Sequence, residues 1–266
     1  MSTAFADTIA APSQLHVPDI RMLIGELREL GDKIDAVGRV IHAAETNIFM
    51  HPDGRQEVLG DICLRIDQLA LVAHYAKHCP TVASAEVGFG LGTSALLNAA
   101  VRAHFAGQGQ TPQHWVFDPY GIGDKGKVIE DYLTAEYGHI YRRVWETSEV
   151  GLGQMQTLLG RGSVGFLLID GSHRFENVLA DFLLSDALCP VGGIMVLDDY
   201  AFPGVEAAVN YLVANRPDYI FNTGAADNTA ICEKIAEKGP AWGEFKPFAV
   251  PDREDWNRAP KSNNFA

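Results

Sequence analysis

Six side chains in this sequence have the type and the setting to do chemistry: Glu86, Asp118, Asp170, His173, Asp198 and Asp199. The acids end, or nearly end, four apolar runs, TVASAEV, WVF, VGFLLI and IMVL. Runs of this kind read as strands of a parallel sheet covered on both faces, and ligands of such sheets lie beyond the carboxyl ends of the strands. If the strands ending in Asp170 and Asp198 are neighbours, about 4.8 Å apart, three carboxylates project into one pocket. They repel one another unless protons or a cation intervene. A hard divalent ion with oxygen ligands, Mg²⁺ by default, is the natural resolution. The competing reading is structural, with Asp198 and Asp199 capping a helix or beginning a turn and Asp170 bordering a pocket.

Beside these acids stands a second signal. Gly88, Gly90 and Gly92 follow the first apolar run at alternate positions, and Thr93 and Ser94 open a helix-like run. A strand, a tight glycine turn and a helix start let a backbone approach a nucleotide closely. The spacing departs from the dinucleotide fingerprint, whose third glycine belongs at position 93. Asp118 ends the next strand, where a carboxylate can accept both hydroxyls of an adenosine ribose; a turn aspartate ahead of Pro119 is the plainer reading.

An acid followed by GxGxG, Glu86 to Gly92, resembles the first motif of class I S-adenosylmethionine (SAM) methyltransferases. The segments IDGSHRFENVLADF and GGIMVLDD resemble those of bacterial small-molecule O-methyltransferases of the macrolide-sugar and cephalosporin-modifying kind, and in outline the catechol-type enzymes. The resemblance spans roughly Thr81 to Glu233. It implies a Rossmann-like, mostly parallel seven-stranded sheet carrying an N-terminal helical extension, with SAM as cofactor and a divalent metal. It further implies cofactor contacts from Glu86, Gly88, Gly90, Thr93, Ser94, Asp118, Ser148 and Asp170, with Ser148 near the adenine edge. Metal ligation falls to Asp170, Asp198 and Asp199, and catalysis to Asp170 and His173. His173 stands where catechol-type enzymes place a lysine base. A histidine titrating near neutrality can take the proton of a metal-bound hydroxyl.

The expected activity is therefore metal-assisted O-methylation of a hydroxylated small molecule, a vicinal diol or catechol. One alternative is a SAM-binding regulatory or scaffolding protein, against which the acid cluster argues, because unpaired acids cost stability without a use. The other is an NAD-type oxidoreductase, against which Thr93 and the absence of a Tyr-x-x-x-Lys pair argue.

The elements that must position these groups are legible in order. Residues 1 to 18 read as a loose arm, and Asp19 to Thr46 as an amphipathic helix or broken pair capped by Asp19. Asn47 to Arg55 reads as a loop and Gln56 to His78 as a second helix; together residues 1–80 form a lid or dimer contact. The main domain, 81–238, alternates strand and helix, which predicts a doubly wound α/β sheet. Within it His139 to Thr147 is the third strand, and Tyr219 to Asn222 with Ala230 to Glu233 an antiparallel pair around a GAADN loop. Residues 239–266 form an extended aromatic tail. His74 and His78 lack the intervening Glu of a metal-binding helix pair and read as residues near a helix C-terminus.

Composition bounds the partners. A chain of 266 residues, 47% hydrophobic, can bury one large core. A formal charge of −13 argues against nucleic acid, and no apolar run approaches the roughly 20 residues of a membrane span. Four scattered cysteines without a CxxC pair suit reduced thiols and a cytoplasmic location. A homodimer is the favoured assembly.

Overall fold

A computed structural model describes residues 14–60, 63–120 and 126–251. The first thirteen residues of the expected arm, the start of the connection read from Gly121 and the tail beyond Pro251 lie outside the described residues.

Asp19 caps α1 (Ile20–Lys33), its carboxylate accepting from Arg21 N. The helical pattern continues as α2 (Asp35–Thr46), but Ile34 between them is extended, so the broken pair is what forms. Gly31 and Gly38 let the two helices meet, since a Cβ on Gly38 would lie 2.9 Å from the Gly31 carbonyl oxygen.

The stretch from Asn47 departs from the expected loop and helix, with Ile48–Met50 and Gln56–Val58 both extended. Strands β1 (Ile48–Met50) and β2 (Gln56–Val58) pair antiparallel, closing a small hairpin over the HPDGR turn. That turn is chemically specified: Asp53 accepts from Arg55 N at 3.0 Å, and Gly54 takes a positive φ. Phe49 anchors the hairpin in the core, fully buried. The helix α3 starts only at Ile66 and runs to Lys77, with Gln68 Oε1 accepting from the N-cap Arg65 N at 2.8 Å. His74 lies in its last turn and His78 at its C-cap, hydrogen-bonded to the His74 carbonyl.

The main sheet holds β3 (Ala83–Val87), β4 (Gln113–Phe117), β5 (Tyr141–Val144), β6 (Val164–Ile169), β7 (Ile194–Asp198), β8 (Tyr219–Ala226) and β9 (Thr229–Lys234). Their order is β5-β4-β3-β6-β7-β9-β8, with the first five strands parallel and β9 antiparallel to its neighbours. The chain leaves β3 toward one edge and returns at β6 on its other side, so the switch point lies between β3 and its neighbours. The third strand is shorter than the sequence suggests, because Thr147 becomes the N-cap of the next helix. The last pair is longer, with GAA drawn into β8 past an irregularity and Asp227–Asn228 left as the turn.

Helices cover both faces. On one lie α1 to α3 with α4 (Thr93–Phe105) and α5 (Lys127–Tyr137); on the other lie α6 (Ser148–Leu159), α7 (Phe175–Leu188) and α8 (Pro203–Asn215). Alternation along β3 divides the cores: Ala83, Ala85 and Val87 face α6 to α8, while Ser84 and Glu86 face the other layer. Before α1, Leu15 is buried and bonds to β8 through the Phe221 carbonyl and the Asn222 amide. After β9 the chain runs back along α8, held by Asn215 on Lys246 and Asn210 on Ala249. No described helix is long and apolar enough to cross a membrane.

Where β3 ends the backbones nearly touch. Asp170 N donates to Val87 O at 2.9 Å, and a Cβ on Gly88 (φ +92) would run into the Asp170 carbonyl. Gly88→Ala is expected to destabilise the fold by about 3 kcal/mol, from overpacking plus an unfavourable left-handed residue. Denaturant melts of the two proteins check it; equal midpoints would mean the strand ends move apart freely.

Candidate functional site

The glycine loop is fastened from three sides. Gly88, Gly90 and Gly92 all adopt positive φ, at 92°, 51° and 87°. Asp118, following β4, accepts from Phe89 N at 2.9 Å through one oxygen and from Tyr120 N at 2.8 Å through the other. Each oxygen keeps a further lone pair for a ligand hydroxyl. Phe89 turns inward beneath Gly92, and its ring carries the Arg143 guanidinium at 4.1 Å. The Trp145 ring, 3.7 Å from that guanidinium, stacks on Arg143 as well.

Glu86, a sequence-predicted cofactor contact, is 1% exposed and enclosed. Ser94 Oγ donates to one of its oxygens, and His114 Nε2 lies 3.2 Å from the other. His114 Nδ1 in turn meets Ser84 Oγ at 3.0 Å, and Ser84 donates to Asn98 at 3.1 Å. This buried chain braces β3, β4 and the start of α4 directly under the loop. Thr93 and Ser94, both buried, open α4. Ser148 opens α6, and its hydroxyl is committed to Asp181 of α7.

The acids converge as strand adjacency requires. β6 and β7 are parallel neighbours, pairing Ile169 with Leu197, so Asp170 and Asp198–Asp199 emerge side by side. Ligand atoms of Asp170, His173 and Asp199 all lie within 4.8 Å of one another. His173 Nε2 is 2.7 Å from Asp199 Oδ2, and the imidazole packs against Phe202 with ring centroids 4.3 Å apart. Asp199 takes a left-handed φ of 58° and accepts from Asn228 Nδ2 at 2.7 Å. Asp198, the third acid the sequence reading gave to the metal, is not within that 4.8 Å group; its Oδ1 accepts from Gln68 Nε2 at 2.5 Å and Thr229 Oγ1 at 3.1 Å.

The electrostatics follow. Burial, then the negative charges of Asp198, Asp199 and Glu86, hold the Asp170 carboxyl well above the usual carboxylate range. Burial and Asp199 push Asp198 up to about 6, against its hydrogen bonds. Asp199 is also desolvated, yet the bond and charge of His173, with Asn228 and Arg65, bring it below its ordinary value. One acid thus has a histidine within hydrogen-bond distance while its neighbours keep an unfavourable negative field.

Sequence reasoning assigned Glu86, Asp118, Asp170, Asp198 and Asp199 to strand ends: Asp118 and Asp170 directly follow β4 and β6, Asp198 closes β7 with Asp199 next, and Glu86 is the last residue but one of β3, while His173 lies in the loop between β6 and α7. That reasoning missed Gln68, His114, Asn228 and Thr229. Asn228 carried a signal in the DN pair of the hairpin turn, and His114 sat one residue before the run read as the second strand. Gln68 and Thr229 had none, because each is an ordinary polar residue until the fold sets it against Asp198.

Asp181 offers a pH test away from the acid cluster. Burial raises its carboxyl to about 6, opposed by the Ser148 hydrogen bond and aided by Glu149. The folded state therefore binds this proton more tightly than the unfolded state. Its contribution is greatest below the ordinary value of 3.8 and is lost as pH rises to about 6. Asp181→Asn should abolish that decline and stabilise the protein above pH 6 by ~2 kcal/mol; parallel pH–stability curves for the two proteins would refute the assignment.

Comparison with known proteins agrees with this architecture. The family model described as a methyltransferase domain matches residues 85–200, from β3 to just past Asp199. No curated protein matches the chain in sequence. Among solved structures, the cofactor-bound protein Rv0187 from MTB is similar at a TM-score of 0.56 and 15% identity, over 83% of this chain and 99% of that one. The O-methyltransferase TomG from Streptomyces achromogenes, involved in tomaymycin synthesis and solved with SAM, is similar at 0.51 and 12% identity, over 84% of this chain and 92% of its own. A Corynebacterium glutamicum protein follows at 0.50 and 13%, over 82% and 91%. Residues 85–200 thus match a methyltransferase domain model, and the solved structures share the overall fold of the chain.

Proposed function

We propose that the protein transfers the methyl group of SAM to a hydroxyl oxygen of a small molecule, with a divalent cation, Mg²⁺ by default, held at the acid cluster. The observation that carries this reading is the convergence of Asp170, His173 and Asp199 within 4.8 Å at strand tips that abut the glycine loop.

The residues fit both groups. On the cofactor side, the loop at Gly88 leaves no room for a side chain, and Asp118 retains acceptor capacity for ribose hydroxyls. Gly88 and Gly90 would lie under the methionine part, with Thr93, Ser94 and the enclosed Glu86 fixing that loop from below. Ser148 lies at the adenine end. On the metal side, oxygen donors from Asp170, Asp198 and Asp199 suit a hard cation, and the raised carboxyl of Asp170 marks a field that a cation relieves. SAM supplies an activated methyl on its sulfonium. The cation, when bound, lowers the pKa of an acceptor hydroxyl.

The protein's own work is positioning and proton transfer. Asp170, next to the loop in space and first of the acids after β6, sets the acceptor beside the cofactor, which converts an encounter into a near-attack geometry. His173 sits at the exposed side of the cluster with Asp199 behind it, and Asp199 orients the imidazole to receive the hydroxyl proton. Phe202 supplies an apolar wall against that ring.

Methyl transfer to a hydroxylated acceptor panel should require SAM, fall to background in EDTA and return with Mg²⁺. Undiminished turnover after exhaustive metal removal would sink the cation's role. His173→Ala is expected to slow turnover on the order of 10²-fold with little change in SAM affinity; near-normal turnover would remove it as the base.

A further inference from the structure

Gln68, Asn228 and Thr229, all outside the matched segment, reach Asp198 or Asp199. Gln68, in the first turn of α3, is 6% exposed. Its Oε1 accepts from Arg65 N at 2.8 Å, and its Nε2 donates to Asp198 Oδ1 at 2.5 Å while lying 3.3 Å from Thr229 Oγ1. The amide can point only one way. Reversing it would set N–H against N–H at Arg65 and oxygen against carboxylate at Asp198. Thr229, at the start of β9 and 1% exposed, donates its hydroxyl to the same oxygen. Two donors from two different elements therefore fix the plane of one buried carboxylate. Arg65 reinforces the junction, its guanidinium donating to the Asp227 carbonyl at 2.8 Å, next to the Asn228 that holds Asp199.

We propose that Gln68 and Thr229 are positioning residues for the cation site, fixing Asp198 on the strand next to Asp170 as a further carboxylate beside the Asp170–His173–Asp199 group. Helix α3, outside residues 85–200, then belongs to the functional site and is more than a cover over the sheet. This role rests on the proposed cation site. A purely structural Gln68 would cap α3 and do nothing else.

The test uses Mn²⁺ as probe, titrated by electron paramagnetic resonance into the full chain, Gln68→Met, Thr229→Val, Asp198→Asn and the Gln68→Met/Asp198→Asn double variant, with thermal melts alongside. Loss of an outer partner of a ligand weakens metal binding about tenfold or more, so Gln68→Met and Thr229→Val should each do so. Adding Gln68→Met to Asp198→Asn should cost nothing further, because the first acts through the second. A Gln68→Met protein with a lower melting temperature and unchanged Mn²⁺ affinity overturns the proposal, as do additive losses in the double variant. Thr229→Val leaves the α3 cap intact and carries the same reading should Gln68→Met fail to fold. Parent protein that binds no Mn²⁺ removes the cation site and this role with it. Parent binding with both single variants unaffected removes only the positioning role.

Discussion

Like charges do not gather unless something holds them, and here the β6–β7 ladder does. Main-chain hydrogen bonds fix Asp170 and the Asp198–Asp199 pair on adjacent strands, so the carboxylates approach at the expense of their mutual repulsion. The geometry of a parallel sheet leaves them no other place. Each acid is then handled differently: Asp199 meets a histidine, Asp198 receives neutral donors, and Asp170 remains under strain from its neighbours. Such inequality among neighbouring acids, each perturbed by a different partner, is an arrangement that clusters at functional sites.

The glycine-loop side obeys a different rule. There the requirement is an absence of side chains, met by glycines at positive φ, and the loop gains its rigidity from groups that never reach the surface. Glu86, Ser94, His114, Ser84 and Asn98 form a buried polar chain whose members satisfy one another. Asp118 completes the fastening from the next strand. The two halves of the site meet at the Gly88–Asp170 contact, so backbone packing sets the glycine loop beside the acid cluster before any ligand arrives.

Much of this was legible in the sequence because it depends on local pattern. Continuous apolar runs marked the strands, acids at their ends marked the pocket, and glycine spacing separated this loop from the dinucleotide type. What the sequence concealed depends on long-range contact. The hairpin at Ile48 to Val58 is short, and its second strand, QEV, looks as helical as it looks extended; only the PDG turn and the burial of Phe49 decide it. Gln68 is hidden for the same reason, since 130 positions separate it from its partner, and nothing in its own neighbourhood distinguishes it from a surface glutamine.

The segment ahead of α1 has a bearing on handling the protein. Through Leu15 it occupies hydrogen-bonding positions on the outer side of β8, the last strand at that margin of the sheet. A shortened form starting at the first helix would leave the Phe221 carbonyl and the Asn222 side-chain amide without these partners, and an uncovered edge strand can pair with a strand of another molecule. Self-association and loss of solubility are the consequence, so a trimmed version made for crystallisation should keep the residues around Leu15.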